Sequence, residues 1–259
     1  MRDLNREAVQ RRLEALGFAV EVVPEDERAR QPDLVATKGG TRMFVEVKTR
    51  VEDATLRVKM ESVPVGATEP VLTVLDKHNA LSSDIKHGNS QLRSAATPED
   101  FRLLWFRADS GPFVYDAREQ IGATLLGIRM VVVETSAGRQ PRACVYAGHA
   151  DFFRFQDIDG VMIEVDGAIT LLLNQFSPRS DAFAASPIST VISSSVLDVA
   201  RAEEAGSCYV VDGDAHRKGD AALLEHLRLK YPTDQFVEFV THYAGTVVTT
   251  IDVRSRGGV

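Results

Sequence analysis

Little cysteine, no long apolar run and no surplus of positive charge characterise this 259-residue sequence. Its two cysteines, Cys144 and Cys208, stand far apart. That excludes a disulfide framework and points to a reducing compartment. Both sit in apolar, strand-like runs and read as buried structural thiols. No apolar stretch approaches the ~20 residues that cross a bilayer. The opening residues 1–12 are charged and amphipathic and lack the apolar centre of a secretory signal, so the expected location is cytoplasmic. There is no Walker loop, so the chain by itself is no motor, and no cysteine zinc cluster, nucleophile elbow or internal repeat is visible. What is present is ordinary for a soluble globular protein, with 44% hydrophobic and 26% charged residues. The length suits one large domain or two small ones.

The net charge of −7 excludes a protein that holds nucleic acid through its overall charge. A phosphate backbone would have to be met by a local basic patch or with the help of a partner. Candidates for a patch are Lys38, Arg42, Arg50, Arg57, Lys59, Lys86, Arg93 and Arg107, all in the first half of the chain. Each taken singly reads as solvated charge.

The densest signal lies in two runs, Gln31-Pro32-Asp33-Leu34-Val35-Ala36 and Phe44-Val45-Glu46-Val47-Lys48. Both are apolar and rich in valine, and Thr37-Lys38-Gly39-Gly40-Thr41 between them is a turn signal, so the pair reads as a β-hairpin. Side chains at i and i+2 of a strand share a face. Glu46 and Lys48 therefore point one way, and Val45 and Val47 point the other, toward a core. With Asp33 on the adjoining strand and the same face, two carboxylates and an ammonium converge on one point. That arrangement suits a divalent metal with a cationic neighbour, and hydrolysis of a phosphodiester. An exposed ion pair across a hairpin is worth little. The Pro-Asp entry, the apolar flanks and an amphipathic helix upstream favour a catalytic site.

In this order of helix, short strand, Pro-Asp strand, glycine turn and apolar-Glu-apolar-Lys strand, the chain resembles the PD-(D/E)XK nuclease superfamily, in its resolvase-like branch, over roughly its first half. The resemblance implies an α/β fold with a restriction-endonuclease-like core: helix, three-stranded meander, helix and strand, a mixed central sheet, and a C-terminal α/β extension. It implies Mg²⁺, with Mn²⁺ as a substitute, held by the carboxylates of Asp33 and Glu46 and the carbonyl of Val47, with DNA as substrate. Lys48 would orient or help deprotonate the attacking water, and the products would carry 5′-phosphate and 3′-hydroxyl ends. Glu7 would hold a metal-bound water or a second ion, although a glutamate in the first turns of a helix is also ordinary helix-dipole chemistry. Repair, restriction and phage defence all fit such an enzyme, as does a homodimer or a partner protein. The alternative is a nuclease-fold module without activity that binds nucleic acid or a protein. An RNA-processing enzyme of the same fold has no aromatic RNA-binding motif to support it.

Along the chain, Leu4, Ala8, Leu13 and Leu16 predict a helix over residues 3–16, stopped by Gly17. Residues 18–23 read as a strand. Residues 51–70 read as a loop or short strands near the substrate. The helical pattern returns over 71–96, with Lys86, His87, Ser90 and Gln91 on its second half. His87 and Gln91 are i,i+4 and share a face. By the resemblance, a polar residue such as Lys86 or Gln91 on this helix faces the active site, and Gln91 is a candidate helper. Residues 101–108, 117–126 and 128–134 read as strand, helix and strand, implying a right-handed parallel crossover. Residues 142–147 read as a further strand. His149, Asp151 and Asp157 follow among Phe152, Phe153 and Phe155, which read as aromatic anchors on the core.

Residues 161–165 and 168–173 form a hairpin about Asp166-Gly167. These elements define a nuclease-like domain over 1–176. Residues 177–195, rich in Ser, Ala and Pro, read as a linker. Residues 196–259 read as a small α/β region for substrate recognition, dimerisation or partner docking. Its helices and strands fall at 195–205, 208–211, 219–230, 235–240 and 246–253, with Asp212, Asp214 and His216 in a turn.

Overall fold

The computed structural model describes residues 4–24, 31–50, 58, 61–76, 78–108, 114–212 and 219–249. Helix α1 spans Leu4–Ala15 and buries Val9 and Leu13. The chain turns at Gly17 (φ +84°), and the Lys38 ammonium donates to the Leu16 carbonyl at 2.6 Å, satisfying an orphan at the helix end. Strands β1 (Ala19–Val22), β2 (Leu34–Lys38) and β3 (Thr41–Arg50) follow as an antiparallel meander. The tight turn between β2 and β3 needs left-handed backbone, and Gly39 (φ +56°) and Gly40 (φ +79°) adopt it without a Cβ penalty.

After strand β4 (Thr68–Val74) and helix α2 (Asn79–Ala95), strand β5 (Phe101–Ala108) lies parallel to β3. Helix α3 (Val114–Leu126), strands β6 (Arg129–Thr135) and β7 (Gly138–Val145) and helix α4 (Asp151–Arg154) come next. Strand β8 (Gly160–Val165) pairs parallel to β5, and β9 (Ala168–Leu173) returns through Asp166 and Gly167, both at positive φ. Short helices α5 (Ser180–Ala184) and α6 (Pro187–Val191) lead to strand β10 (Val196–Leu197) and helix α7 (Val199–Glu204). Strand β11 (Tyr209–Val210), helix α8 (Asp220–Lys230) and strands β12 (Gln235–Val240) and β13 (Tyr243–Thr249) end the described chain.

The central sheet is mixed and seven-stranded, in the order β1-β2-β3-β5-β8-β9-β10. Its period-2 alternation separates two cores. Val45, Leu103, Trp105 and Met162 pack with Val9 and Leu13 of α1. Phe44, Leu104 and Phe106 pack with Leu81, Ile85 and Leu92 of α2. A four-stranded sheet in the order β11-β7-β6-β12 and the ribbon of β4 with β13 complete the strands. No helix among the described residues is long and apolar enough to cross a membrane.

Four expectations are corrected. Residues 71–96 are not one helix: 68–74 form β4, and α2 begins at Asn79. Leu72 and Leu75 fit a helical spacing, but β4 is held by residues 243–249, a partner too distant for local pattern to reveal. Strands β5 and β6 do not form a parallel crossover. The parallel neighbour of β5 is β8, and β6 enters the second sheet between β7 and β12, which supply its hydrogen bonds. Nor do residues 177–195 form a linker. Phe183, Ile188 and Ile192 are buried in the α1-side core, and Gly160 makes room, because a Cβ there would lie 2.4 Å from the Phe183 ring.

The region 196–259 likewise does not stand apart within its described part: β10, β11, β12 and β13 pair with β9, β7, β6 and β4. Short strands without partners of their own complete sheets begun by residues 1–176. The loop into this region is anchored by Asp159, which is fully buried. Its carboxylate accepts from the Arg102 N–H (2.7 Å), the Ser177 hydroxyl (2.6 Å) and the Arg179 guanidinium. Asn174, also fully buried, donates to the Ile158 carbonyl (2.7 Å) and accepts from the Phe176 N–H (3.1 Å).

Phe183→Ala is expected to reduce unfolding free energy by about 3–5 kcal/mol in urea melts, as truncation of a buried aromatic does. A loss below ~1 kcal/mol would mean that this segment is not packed in solution.

Candidate active site

The hairpin register places Leu34 opposite Val45, and the Asp33 N–H donates to the Val45 carbonyl at 3.1 Å. Leu34 and Val45 belong to the α1-side core, whereas Val35 and Phe44 belong to the α2 side. By alternation, Asp33, Glu46 and Lys48 all face α2. Asp33 accepts the Val47 N–H on Oδ2 at 2.8 Å. The Lys48 ammonium donates to Glu46 Oε1 at 2.6 Å and to Gln91 Oε1 at 3.0 Å. Gln91 Nε2 donates to the Gln31 carbonyl at 3.1 Å. Gln91 thus ties the lysine to the segment that introduces Asp33. The side chain of Val47 packs against the α1-side core while its backbone serves the site.

α2 approaches this closely because of Gly88. A Cβ at Gly88 would fall 2.4 Å from Leu104 Cδ2, 3.4 Å from Glu46 Cγ and 3.5 Å from Lys48 Cε. Within a helix glycine costs about 1 kcal/mol relative to alanine, and here it lets the helix lie on the carboxylate.

Glu46 is 2% exposed. Burial, and then the neighbouring charge of Asp33, push its pKa up to about 7, against the opposing pull of Lys48. Asp33 is also raised, chiefly by burial, with the Val47 N–H, Lys48 and Arg6 acting in the opposite sense. Glu46 Oε2 is buried and has no hydrogen-bond partner among the described residues. A carboxylate oxygen left bare beside a second carboxylate is what a cation would satisfy. No cluster of three His, Cys, Asp or Glu side chains able to hold a metal occurs among the described residues. The side-chain oxygen donors the site offers are two carboxylates, Asp33 and Glu46. This fits Mg²⁺, which keeps several of its waters, better than zinc with a closed nitrogen and sulfur shell.

The structure places the remaining candidates as follows. Arg107 pairs with Thr49 across β5 and β3 and donates to Asn5 Oδ1 at 3.1 Å, which brings the start of α1 beside the end of β3. At about 100° per residue, Arg6 shares the sheet-facing stripe of Val9 and Leu13, while Glu7 is turned about 140° from it. The charge that α1 brings to bear on Asp33 is that of Arg6. Sequence reading passed over Arg6 and Gly88. Arg6 was recoverable from its seven-residue spacing to Leu13, whereas Gly88 depends on how α2 docks.

Lys86 and His87 are exposed on α2. The basic patch is not contiguous. Lys38 caps α1, and Arg42 lies over the Phe44 ring near Asp100, both at the turn end of the hairpin away from Lys48. Arg93 pairs with Asp157 at 3.3 Å. The Arg50 side chain, Arg57 and Lys59 lie outside the described residues, as do Asp214 and His216. Asp212 pairs with Lys230 at 2.6 Å. Phe152 and Phe155 are core residues, and Asp151 is buried beside them. Cys144 is buried, Cys208 is half-buried, and both are free.

The family model described as archaeal Holliday junction resolvase (hjc) matches residues 2–65. Those resolvases belong to the PD-(D/E)XK nuclease superfamily, and the resemblance covers the segment bearing Asp33, Glu46 and Lys48. No curated protein and no solved structure matches the chain.

Two outcomes are expected here. Because the Glu46 pKa is raised, the metal-free protein is stabilised below its unfolded value near 4.5 and loses that stability as pH rises through about 7. Glu46→Gln should remove the loss. Its thermal stability in EDTA should gain on wild type between pH 5 and pH 8 by up to roughly 3 kcal/mol, and parallel curves would contradict the burial argument. Gly88→Ala should cost about 1–3 kcal/mol by overpacking, read by denaturant titration.

Proposed function

We propose that this protein is a metal-dependent deoxyribonuclease that hydrolyses phosphodiester bonds, with branched DNA as the substrate to test first. The observation that carries the reading is the convergence of Asp33, Glu46 and Lys48 on the sheet face beneath α2, with Glu46 buried and its Oε2 without a hydrogen-bond partner among the described residues. The α1–β1–β2–β3 order followed by α2 and β5 supports a restriction-endonuclease-like core, and the resolvase match supports junction DNA. The acidic net charge is compatible with a second copy or a partner protein that adds affinity.

The carboxylates of Asp33 and Glu46 and the carbonyl of Val47 would hold Mg²⁺ or Mn²⁺. When bound, that ion polarises the scissile phosphate and lowers the pKa of a water. Lys48 orients the attacking water and stabilises the negative charge that builds on the phosphate oxygens. Gln91 holds the Lys48 ammonium in place while it donates to the Gln31 carbonyl, so it positions the lysine rather than touching the reacting atoms. Arg6 offsets part of the negative charge around Asp33. By the resemblance Glu7 would hold a water of the ion, although α1 turns it about 140° from the sheet-facing stripe. Hydrolysis proceeds by in-line attack of water on phosphorus with the 3′ oxygen leaving, which gives 5′-phosphate ends.

The test is cleavage of supercoiled plasmid, linear duplex and a synthetic four-way junction with Mg²⁺ or Mn²⁺, against an EDTA control. Asp33→Ala and Lys48→Ala should each lower the rate by about 10²-fold or more. Gln91→Ala should lower it by about tenfold while leaving calorimetric Mn²⁺ affinity intact. No cleavage of any substrate, together with no Mn²⁺ binding dependent on Asp33 and Glu46, would overturn the enzymatic reading in favour of a binding module.

A further inference from the structure

α2 has a side that the catalytic arrangement does not use. Its buried stripe comprises Leu81, Ser82, Ile85, Gly88, Asn89 and Leu92. Gln91 lies on one flank of that stripe, where it meets Lys48 and the Gln31 carbonyl. One turn earlier on the same flank stands His87, exposed and next in sequence to the glycine that touches Glu46 and Lys48. Across the crest of the helix come Ser83, Ser90 and Ser94, and beyond them Lys86, also exposed. The Ser94 hydroxyl donates back to the Gln91 carbonyl at 2.7 Å.

Two properties distinguish this face. In a chain with 37 acidic and 30 basic residues, α2 carries a single acid among its 17 residues, Asp84, which lies half-buried at the edge of the stripe on the Gln91 flank, three residues before His87. The face is also continuous with the site, because His87 and Gln91 are neighbours on one flank. A strand that reaches Asp33 and Glu46 with its phosphates must pass a wall of the site, and this wall offers hydroxyls, an imidazole and an ammonium, with short side chains that allow close approach. Phosphate contacts of this kind position a nucleic acid without reading its sequence.

We infer that the exposed face of α2 bearing Lys86 and His87 is the track along which the DNA backbone enters the site. The inference rests on the nuclease reading. Lys86 contributes an ion pair with a phosphate, His87 a hydrogen bond to a phosphate oxygen nearer the metal ligands, and the serines room and further hydroxyls. Each such contact releases counterions from the DNA, so binding through this face is salt-dependent and tolerant of sequence.

The test is DNA binding by fluorescence anisotropy in Ca²⁺ across a salt series, with the full chain. Variants are Lys86→Glu, His87→Ala and their combination. Arg201→Glu serves as a charge control, since its side chain is 85% exposed on α7. α7 follows β10, at the opposite edge of the central sheet from β1 and β2. Both changes on α2 sit at exposed positions, and calorimetric Mn²⁺ affinity is measured on each protein to report that the metal ligands are intact. The expected result is at least a tenfold loss of DNA affinity for the double variant, to a similar degree on unrelated sequences, with a salt slope reduced by about one. Mn²⁺ affinity should not change, and the control should keep its DNA affinity. Unchanged DNA affinity in the double variant, or an equal loss in the control, overturns the track even where wild type binds metal and cuts DNA. Wild type that fails to bind DNA at low salt overturns the track and the nuclease reading together.

Discussion

Glu46 is the constraint around which the rest is arranged. A carboxylate at the middle of a buried strand loses its hydration, and it does so beside a second carboxylate. Such a group survives in its charged form only with compensation at hydrogen-bond distance. Lys48, two residues on along the same strand face, supplies it. Lys48 is in turn held by Gln91, and Gln91 reaches it because Gly88 lets α2 settle on the hairpin. Among the described residues, Glu46 Oε2 keeps no hydrogen-bond partner. The site is destabilising by itself and is carried by the two cores on either side of the sheet, the usual relation between stability and function.

The division of labour across the central sheet follows from strand alternation. One face is apolar beneath α1 apart from Glu164, whose carboxylate accepts the Trp105 Nε1–H at 3.0 Å and pairs with Arg12 at 3.5 Å, and Arg107, which donates to Asn5 of α1. The other face is apolar toward β5 and β8 and polar at β3, where α2 crosses it. The two ends of the sheet also differ. Asp159, Arg179 and Arg102 lock the end where β5 and β8 begin, and α1 meets the end where β3 and β5 finish. The carboxylates therefore sit on an immobilised frame.

What could be read from the sequence was what is local. Glu46 and Lys48 on one strand face, the glycine turn and the Asp166-Gly167 hairpin follow from dihedral rules over a few residues. The i,i+4 relation between His87 and Gln91 follows from helical pitch. The failures were all failures of long-range partnership. Residues 71–74 carry no local mark of a strand whose mate is 243–246. The apolar run of β6 says that it is covered, not by which sheet. Ser, Ala and Pro in 177–195 describe a chain that turns often, and Phe183, Ile188 and Ile192 decide that it turns inside the core. In the site, Asp33, Glu46, Lys48 and Gln91 were nameable in advance. Gly88 and Arg6 acquire meaning only once α2 and α1 are laid on the sheet.

The pairing of β4 with β13 has a consequence for how the molecule is made. β4 is the next strand after the hairpin that carries Asp33 and Glu46, yet its hydrogen-bonding partner is residues 243–249. A nascent chain therefore exposes an open strand edge until residues 243–249 are made, and β6 likewise waits for residues 235–240. Contacts so distant along the chain are slow to form. Pairing of β4 and β6 consequently waits until residues 235–249 have been made, and a chain stalled before them has both of those edges uncapped.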